Sequence, residues 1–328
     1  MTILKLPRRK FLHLAAGAAL LPALPSAARA QAYPRKPIKL ILPFLPGTPN
    51  DVIARLIVPD LSSRLGQAVV VDNRSGGGTL IGTKAAMTAE ADGHTLLVTS
   101  TSVHVIAQNL TNNIAYDPIG DFAAVASIGT TSWVLVISPA VPAKSLAEFL
   151  AYARANPGKM NFGYGQGTGP QLVGAHFKKV TGIDLANVPY RGSTQVVADM
   201  LGGQVQVNFS TANILPLVRE GKLTALAITS ATRSPDFPEL PTMIESGYPA
   251  MTLTSTVGIL APARTPANVT NRVYREIAES LKSPELRSSI LKTGYEPEAG
   301  SPESFAALLA EEMKKWLPIA KESGFRID

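Results

Sequence analysis

Five short stretches of the chain carry neutral hydrogen-bonding groups and almost no acid. They are 44–50, 100–102, 164–171, 190–194 and 210–213, built mainly from Gly, Ser, Thr, Asn and Gln with one cation, Arg191. The candidate contact residues are Phe44, Leu45, Thr48, Pro49 and Asn50 in the first, and Ser100, Thr101 and Ser102 in the second. The third supplies Gly165, Gln166, Thr168 and Gln171, the fourth Tyr190, Arg191, Gly192 and Ser193, and the fifth Ser210 and Thr211. Any one stretch reads equally as ordinary turn residues. Together they supply N–H and O–H donors suited to an anion. Arg191 fits a bidentate grip on a carboxylate, or a surface arginine at a helix start. Asp51 is expected to serve the first turn of its helix, where a carboxylate is favourable.

Other chemistries find little support. Gly77-x4-Gly82-Thr83-Lys84 resembles a phosphate loop, but its lysine falls one position late. Gly163-x-Gly165-x-Gly167 is followed by Thr168, so the dinucleotide fingerprint fails. There is no Gly-x-Ser-x-Gly elbow. His13 lies in the N-terminal segment, and His94, His104 and His176 are scattered without zinc-site or triad spacing. No catalytic residue, metal or cofactor is therefore expected. The chain has no cysteine, which excludes disulfides and thiolate sites.

The 328 residues carry a formal charge of +7. Five positive charges, Lys5, Arg8, Arg9, Lys10 and Arg29, precede residue 31 without a single acid, so +2 remains for the rest. That leaves no basic stripe for nucleic acid. Residues 1–30 read as an export signal. Arg8-Arg9-Lys10 is followed by an apolar run over 14–24, and Ala28-Arg29-Ala30 is a cleavage site before Gln31. The run is short for a membrane anchor and contains Pro22. The twin-arginine and general export routes both stay open. The periplasm is the expected location.

The stretches share one position, after a strand and before a helix. Ile38–Leu42 reads as a strand, and a helix with Val52, Leu56, Ile57, Leu61 and Leu65 on one face follows. Strands and helices alternate through the mature chain, which predicts an α/β fold with largely parallel sheets. Further strands are expected over 68–72, 95–99, 122–128, 134–137, 160–162, 185–188, 205–209 and 223–228, and a helix over 103–110. Ser145 caps a helix over 145–155. A long β-branched run over 252–260 reads as a strand returning to the first unit. The last helix, over 302–321, has a face of Phe305, Leu308, Leu309, Met313 and Trp316, which favours a core tryptophan. Two α/β lobes joined by two crossing strands form a hinged clamp, 31–130 with 256–328 against 131–255. Ligand is expected where strand carboxyl ends face the cleft.

The chain also resembles a known family along nearly its whole mature length. The matching residues include Tyr33-Pro34, Pro43-Phe44-x-Pro46-Gly47, Arg64-Leu65-Gly66-Gln67, Asn73-Arg74-x-Gly76 and Ala91-Asp92-Gly93-x-Thr95-Leu96-Leu97. They continue through Tyr116-Asp117-Pro118, Asn156-Pro157-Gly158-Lys159, Val188-Pro189-Tyr190-Arg191-Gly192, Leu201-Gly202-Gly203-Gln204 and Leu260-Ala261-Pro262-Ala263. These are similar to the Bug family, periplasmic substrate-binding proteins of tripartite tricarboxylate transporters. The resemblance implies a two-lobed type II periplasmic-binding-protein fold that closes on a small carboxylated solute and delivers it to membrane permease subunits, acting as a monomer. The family's contacts carry over onto 44–50 in the first lobe, and onto 166–171, 190–193 and 210–211 in the second. Three departures stand out. Gly47-Thr48-Pro49-Asn50 replaces a glycine run, with Pro49 removing one backbone donor while Thr48 and Asn50 add side-chain donors. Ser210 stands where many members have an acid, which disfavours an ammonium-bearing ligand. Thr256 stands at or near a frequent aromatic position and is expected to widen that wall. The reading favours a di- or monocarboxylate, aromatic acids included. A ligand-sensing module for a signalling receptor and a secreted hydrolase are the rivals.

Overall fold

The computed structural model describes residues 33–104, 116–235 and 237–323. The export signal, and the part of the helix expected over 105–110, lie outside the described residues.

Two sheets organise the chain. The first is β1 (Ile38–Leu42), β2 (Val69–Asn73), β3 (Thr95–Ser100), β4 (Phe122–Ser132), β10 (Thr254–Pro262) and β11 (Glu296–Pro297), in the order β11-β4-β10-β3-β1-β2. The second contains β5 (Val134–Ile137), β6 (Asn161–Gly165), β7 (Ala186–Tyr190), β8 (Val207–Ser210) and β9 (Thr224–Ile228), in the order β7-β6-β8-β5-β9. Both sheets are mixed rather than largely parallel. β1 runs parallel to β2 and β3, but β10 is antiparallel to β3 and β4. β6 runs parallel to β7 and β8, while β5 is antiparallel to β8 and β9. Apart from the two-residue β11, which is antiparallel to β4, the antiparallel strands are those leading into or out of the lobe crossings, where the chain arrives from the other sheet rather than through a βαβ unit.

Helices fill the connections. α1 (Pro49–Leu65) has proline at its first position and ends at Gly66 with φ 66°, the left-handed stop that glycine accepts readily. Its buried stripe is Ile53, Ile57, Leu61 and Leu65, with Ala54 beside it. Val52, expected on that face, is exposed: one residue earlier is about 100° around the helix. α2 (Leu80–Met87) follows β2. In the second lobe α3 (Leu146–Ala155) is capped as expected, with Ser145 Oγ accepting the Glu148 N–H. α4 (Gly169–Thr181), α5 (Ser193–Leu201) and the short α6 (Leu215–Arg219) follow β6, β7 and β8. α7 (Ala267–Ser280) and α8 (Pro284–Leu291) return to the first lobe.

α9 (Pro302–Ser323) joins both lobes. Phe305 and Leu309 pack with Ile41, Leu97 and Leu260 of the first lobe, whereas Trp316, Ile319 and Ala320 belong to the core of the second. The division that gives all of 256–328 to the first lobe takes no account of this last stretch. Trp316 is a core residue, set edge-to-face against Trp133 with ring centroids 5.7 Å apart. The two strand crossings are tied at one side chain. Thr229 Oγ1 accepts the Trp133 N–H at 2.9 Å and donates to the Leu253 carbonyl at 2.7 Å. Among the described residues, no helix is long and apolar enough to cross a membrane.

Candidate ligand-binding site

The first-lobe wall begins with the loop between β1 and α1. Gly47, at φ 80°, gives its N–H to Asp51 Oδ2 at 2.9 Å. Asp51 also accepts from Arg55 Nε at 2.9 Å and from Asn73 Nδ2 at 2.8 Å. Burial pushes this carboxyl's pKa up, but the hydrogen bonds from Arg55, Gly47 and Asn73 outweigh it and hold the group below the ordinary carboxylate value. Asp51 thus shapes the loop and does not line the hollow above it. The Thr48 hydroxyl donates to the Leu45 carbonyl at 2.8 Å, so the donor expected for a ligand is already engaged. Asn50 Oδ1 accepts from the Tyr295 hydroxyl at 2.6 Å, which leaves its amide donors turned elsewhere. Pro49 has no N–H, so the amides of Asn50 and Asp51 are those the first helical turn leaves without an intrahelical acceptor.

These residues face a cavity of about 690 Å³ lined by both lobes. Phe44, Leu45, Thr48, Pro49 and Asn50 line it, with Ser100 and Ser102 beside them. From the second lobe come Gln166, Thr168, Arg191, Gly192, Ser193, Ser210 and Thr211. Fourteen of the eighteen candidate residues therefore meet at one hollow.

The other four lie behind it. Thr101 is fully buried, and its Oγ1 accepts the Thr256 N–H at 3.2 Å, binding β3's end to β10. The Gly165 carbonyl takes the Thr168 hydroxyl at 2.6 Å. Gln171 is buried with Oε1 on the Gly167 N–H at 2.7 Å. The Tyr190 hydroxyl donates to Asp199 and its ring packs on the second-lobe core. In each, local loop or strand bonding has taken the polar atom. Thr256 is also not at the wall. Its hydroxyl pairs with Thr130 at 2.7 Å within the strand ladder.

Several lining residues were not anticipated. Ser75 and the run Gly76-Gly77-Gly78-Thr79, all four at positive φ, border the cavity from the loop before α2. That loop also follows a strand and opens a helix, so the same criterion finds it. Trp133, Ser255 and Tyr295 arrive from the crossings and a distant loop, where no local pattern marks them. Ser255 Oγ lies 2.8 Å from Ser102 Oγ, joining the returning strand to the second candidate stretch.

Around the cavity the lobes touch. A Cβ built on Gly167 would lie 2.7 Å from Gly78 Cα and O, so these two backbones meet across the cleft. One on Gly192 would lie 3.2 Å from Leu45 Cδ1, and one on Gly294 would lie 2.7 Å from Ala212 N.

Electrostatically the hollow is simple. Among the described residues Arg191, exposed at its edge, is the one charged residue in the lining, and no histidine reaches it. His104 instead holds the Pro118 carbonyl at 2.6 Å, and burial pushes its pKa down to about 4. Among the described residues no group of His, Cys, Asp or Glu could hold a metal ion. The arrangement can orient an anion through neutral dipoles and one guanidinium. Among the described residues the lining contains no nucleophile–base pair.

Comparison with known proteins identifies the family and the fold. Residues 53–325 match the model of the tripartite tricarboxylate transporter family receptor. Protein BugT of Bordetella pertussis is 35% identical over 301 residues, 91% of this chain and 92% of that protein. A solved periplasmic transporter superposes with a TM-score of 0.85 at 36% identity, covering 90% of this chain and all of the other. Rhodopseudomonas palustris Rpa4515, solved with adipate, gives 0.84 at 30% identity over 89% of this chain and 99% of its own. With both its sheets and its length accounted for, the chain belongs to the tripartite tricarboxylate transporter receptor family, as a Bug-type periplasmic solute-binding protein.

Proposed function

We propose that the protein captures a small carboxylate between its lobes in the periplasm and presents it, unaltered, to membrane permease subunits. The observation that carries this reading is the lining of the cavity: among the described residues it has many neutral N–H and O–H groups, Arg191, and no Asp or Glu. Asn50, Ser102, Arg191, Ser193 and Ser210 are the residues assigned to hold the acid; the Thr168 hydroxyl, like that of Thr48, is already engaged by a backbone carbonyl. Hydrogen bonds to a charged group contribute about 1.5–3 kcal/mol each, so a few convergent donors are enough for tight capture. The absence of an acid at Ser210 disfavours a zwitterionic amino acid, whose ammonium would have no counter-charge in the lining. Adipate in Rpa4515 supports the ligand class. Binding shifts an equilibrium between open and closed lobes, and the closed form is what the permease reads. One receptor monomer is sufficient, since both walls come from the same chain.

The test is calorimetry with mono-, di- and tricarboxylates on the mature protein, repeated with Arg191→Gln and Ser210→Asp. At least one acid is expected to bind, more weakly in both variants. Binding of none, or undiminished affinity in both variants, refutes the reading.

A further inference from the structure

We infer that the ligand is a monocarboxylate with a sizeable apolar body, and that Val197, Ile214 and Leu217 hold that body. This rests on the carboxylate reading above and narrows it.

Charge comes first. Among the described residues Arg191 is the single charged one lining the cavity, so a second carboxylate would lose its hydration with neutral groups alone as partners. Volume points the same way. About 690 Å³ holds some twenty waters, so a short diacid would leave much of the hollow filled with solvent.

The third argument is where apolar surface has been left open. Val196, Leu215 and Met200 of the second-lobe cluster are buried by protein. Val197 and Leu217 pack on the same cluster but are only half-buried, and they line the cavity with Ile214. Ile214 is itself buried, so Val197 and Leu217 supply the open apolar surface at the cavity, and an apolar ligand body would remove it from water. The path from the charged end is short. Ser193 and Thr194 line the cavity one helical turn before Val197, on the same side of α5. An acid group near Arg191 and Ser193 therefore sets the adjoining carbons against Val197, with Ile214 and Leu217 beyond it. Phe209 and Trp133 border the same space and suit a planar or branched body as well as a straight chain.

The experiment is calorimetry with phenylacetate, octanoate, adipate and malate on the mature protein, Leu217→Asn and the nearly isosteric Val197→Thr, each checked by circular dichroism for folding. Phenylacetate or octanoate is expected to bind wild type at least tenfold more tightly than either diacid. In each variant the ratio of monoacid to adipate affinity is expected to fall about tenfold. A diacid binding more tightly than both monoacids overturns the inference while leaving the carboxylate reading intact. So does an equal loss for monoacids and diacids in both variants. No binding by any acid overturns the broader reading, and this one falls with it.

Discussion

Replacing Gly167 by alanine should weaken ligand capture, over and above the backbone strain that any left-handed glycine of its lobe would suffer on the same change. Gly167 sits at φ 74°, so a side chain there strains the backbone by about 1–2 kcal/mol in any state of the protein. A second cost arises only when the lobes meet. The new Cβ would lie 2.7 Å from Gly78 Cα, 2.7 Å from its O and 2.8 Å from its C, all backbone atoms that cannot swing aside as a side-chain tip would. Overpacking of this kind costs about 1–3 kcal/mol. Charged only to the closed form, about 2 kcal/mol lowers apparent affinity roughly thirtyfold, because ligand must then close a less populated jaw. Gly182→Ala is the control. Gly182 has φ 69° in the same lobe, but its added Cβ meets nothing within 4 Å. The two ligand-free variants should melt at similar temperatures. Calorimetry with the best-binding acid should then show the thirtyfold loss in Gly167→Ala alone, and small-angle scattering should show that variant staying open with ligand. Affinity within threefold of the control would refute the claim that capture requires Gly167 to meet Gly78.

Three further perturbations test the scaffold. His104 is held neutral by burial with its pKa lowered from 6.5 to about 4, so the unfolded chain takes up its proton first. Its contribution, about 3 kcal/mol, is complete above pH 6.5 and lost as pH falls to about 4; urea titrations across that range should show the decline, and His104→Leu should flatten it. Asp51→Ala leaves the Gly47 N–H and the Asn73 amide without their acceptor; a loss of about 2 kcal/mol in urea unfolding, with weakened acid binding, is expected. Arg55 is half-exposed and recovers water, which keeps the loss below that of a fully buried pair. Thr229→Val keeps the shape but strips the Trp133 N–H of its acceptor and the Leu253 carbonyl of its donor. About 1–3 kcal/mol of stability should go, read from the urea midpoint.

What the sequence discloses of this fold follows from which signals are local. Strand ends that open helices are local, so the five stretches could be found by composition, and the glycine run at 76–78 answers to the same rule. Direction is not local. The β-branched run that becomes β10 looks the same whether its neighbours are parallel or antiparallel, and only the crossing from the other lobe decides it. Phase within a helix is only partly local, since Val52 and Ile53 compete for one face and packing against the first sheet selects Ile53. Residues such as Trp133, Ser255 and Tyr295 carry no signature at all, because their place at the cavity is set by where distant strands land.

The four candidates that lie behind the cavity make a related point. Gly165, Thr101, Gln171 and Tyr190 have the right chemistry and are adjacent to lining residues, yet each has its polar atom engaged by the protein. A polar group buried without a partner is costly, so a loop must satisfy most of its own donors and acceptors before any remain for a ligand. Gln171 bonds Gly167 and so holds the turn over 165–168 that brings Gly167 against Gly78. Asp51 does the same for Gly47 in the opposite lobe. The two walls are therefore held by residues that lie behind the cavity lining. A screen that changes only cavity-lining side chains would miss Gln171 and Asp51, which order the two loops. The sharper experiment is Gln171→Leu, which keeps bulk but removes the acceptor for the Gly167 N–H. If the support is as described, acid affinity should fall by about an order of magnitude with the lining intact. If affinity holds, the turn is ordered by the Thr168–Gly165 bonds alone, and the supporting role passes from Gln171 to that pair.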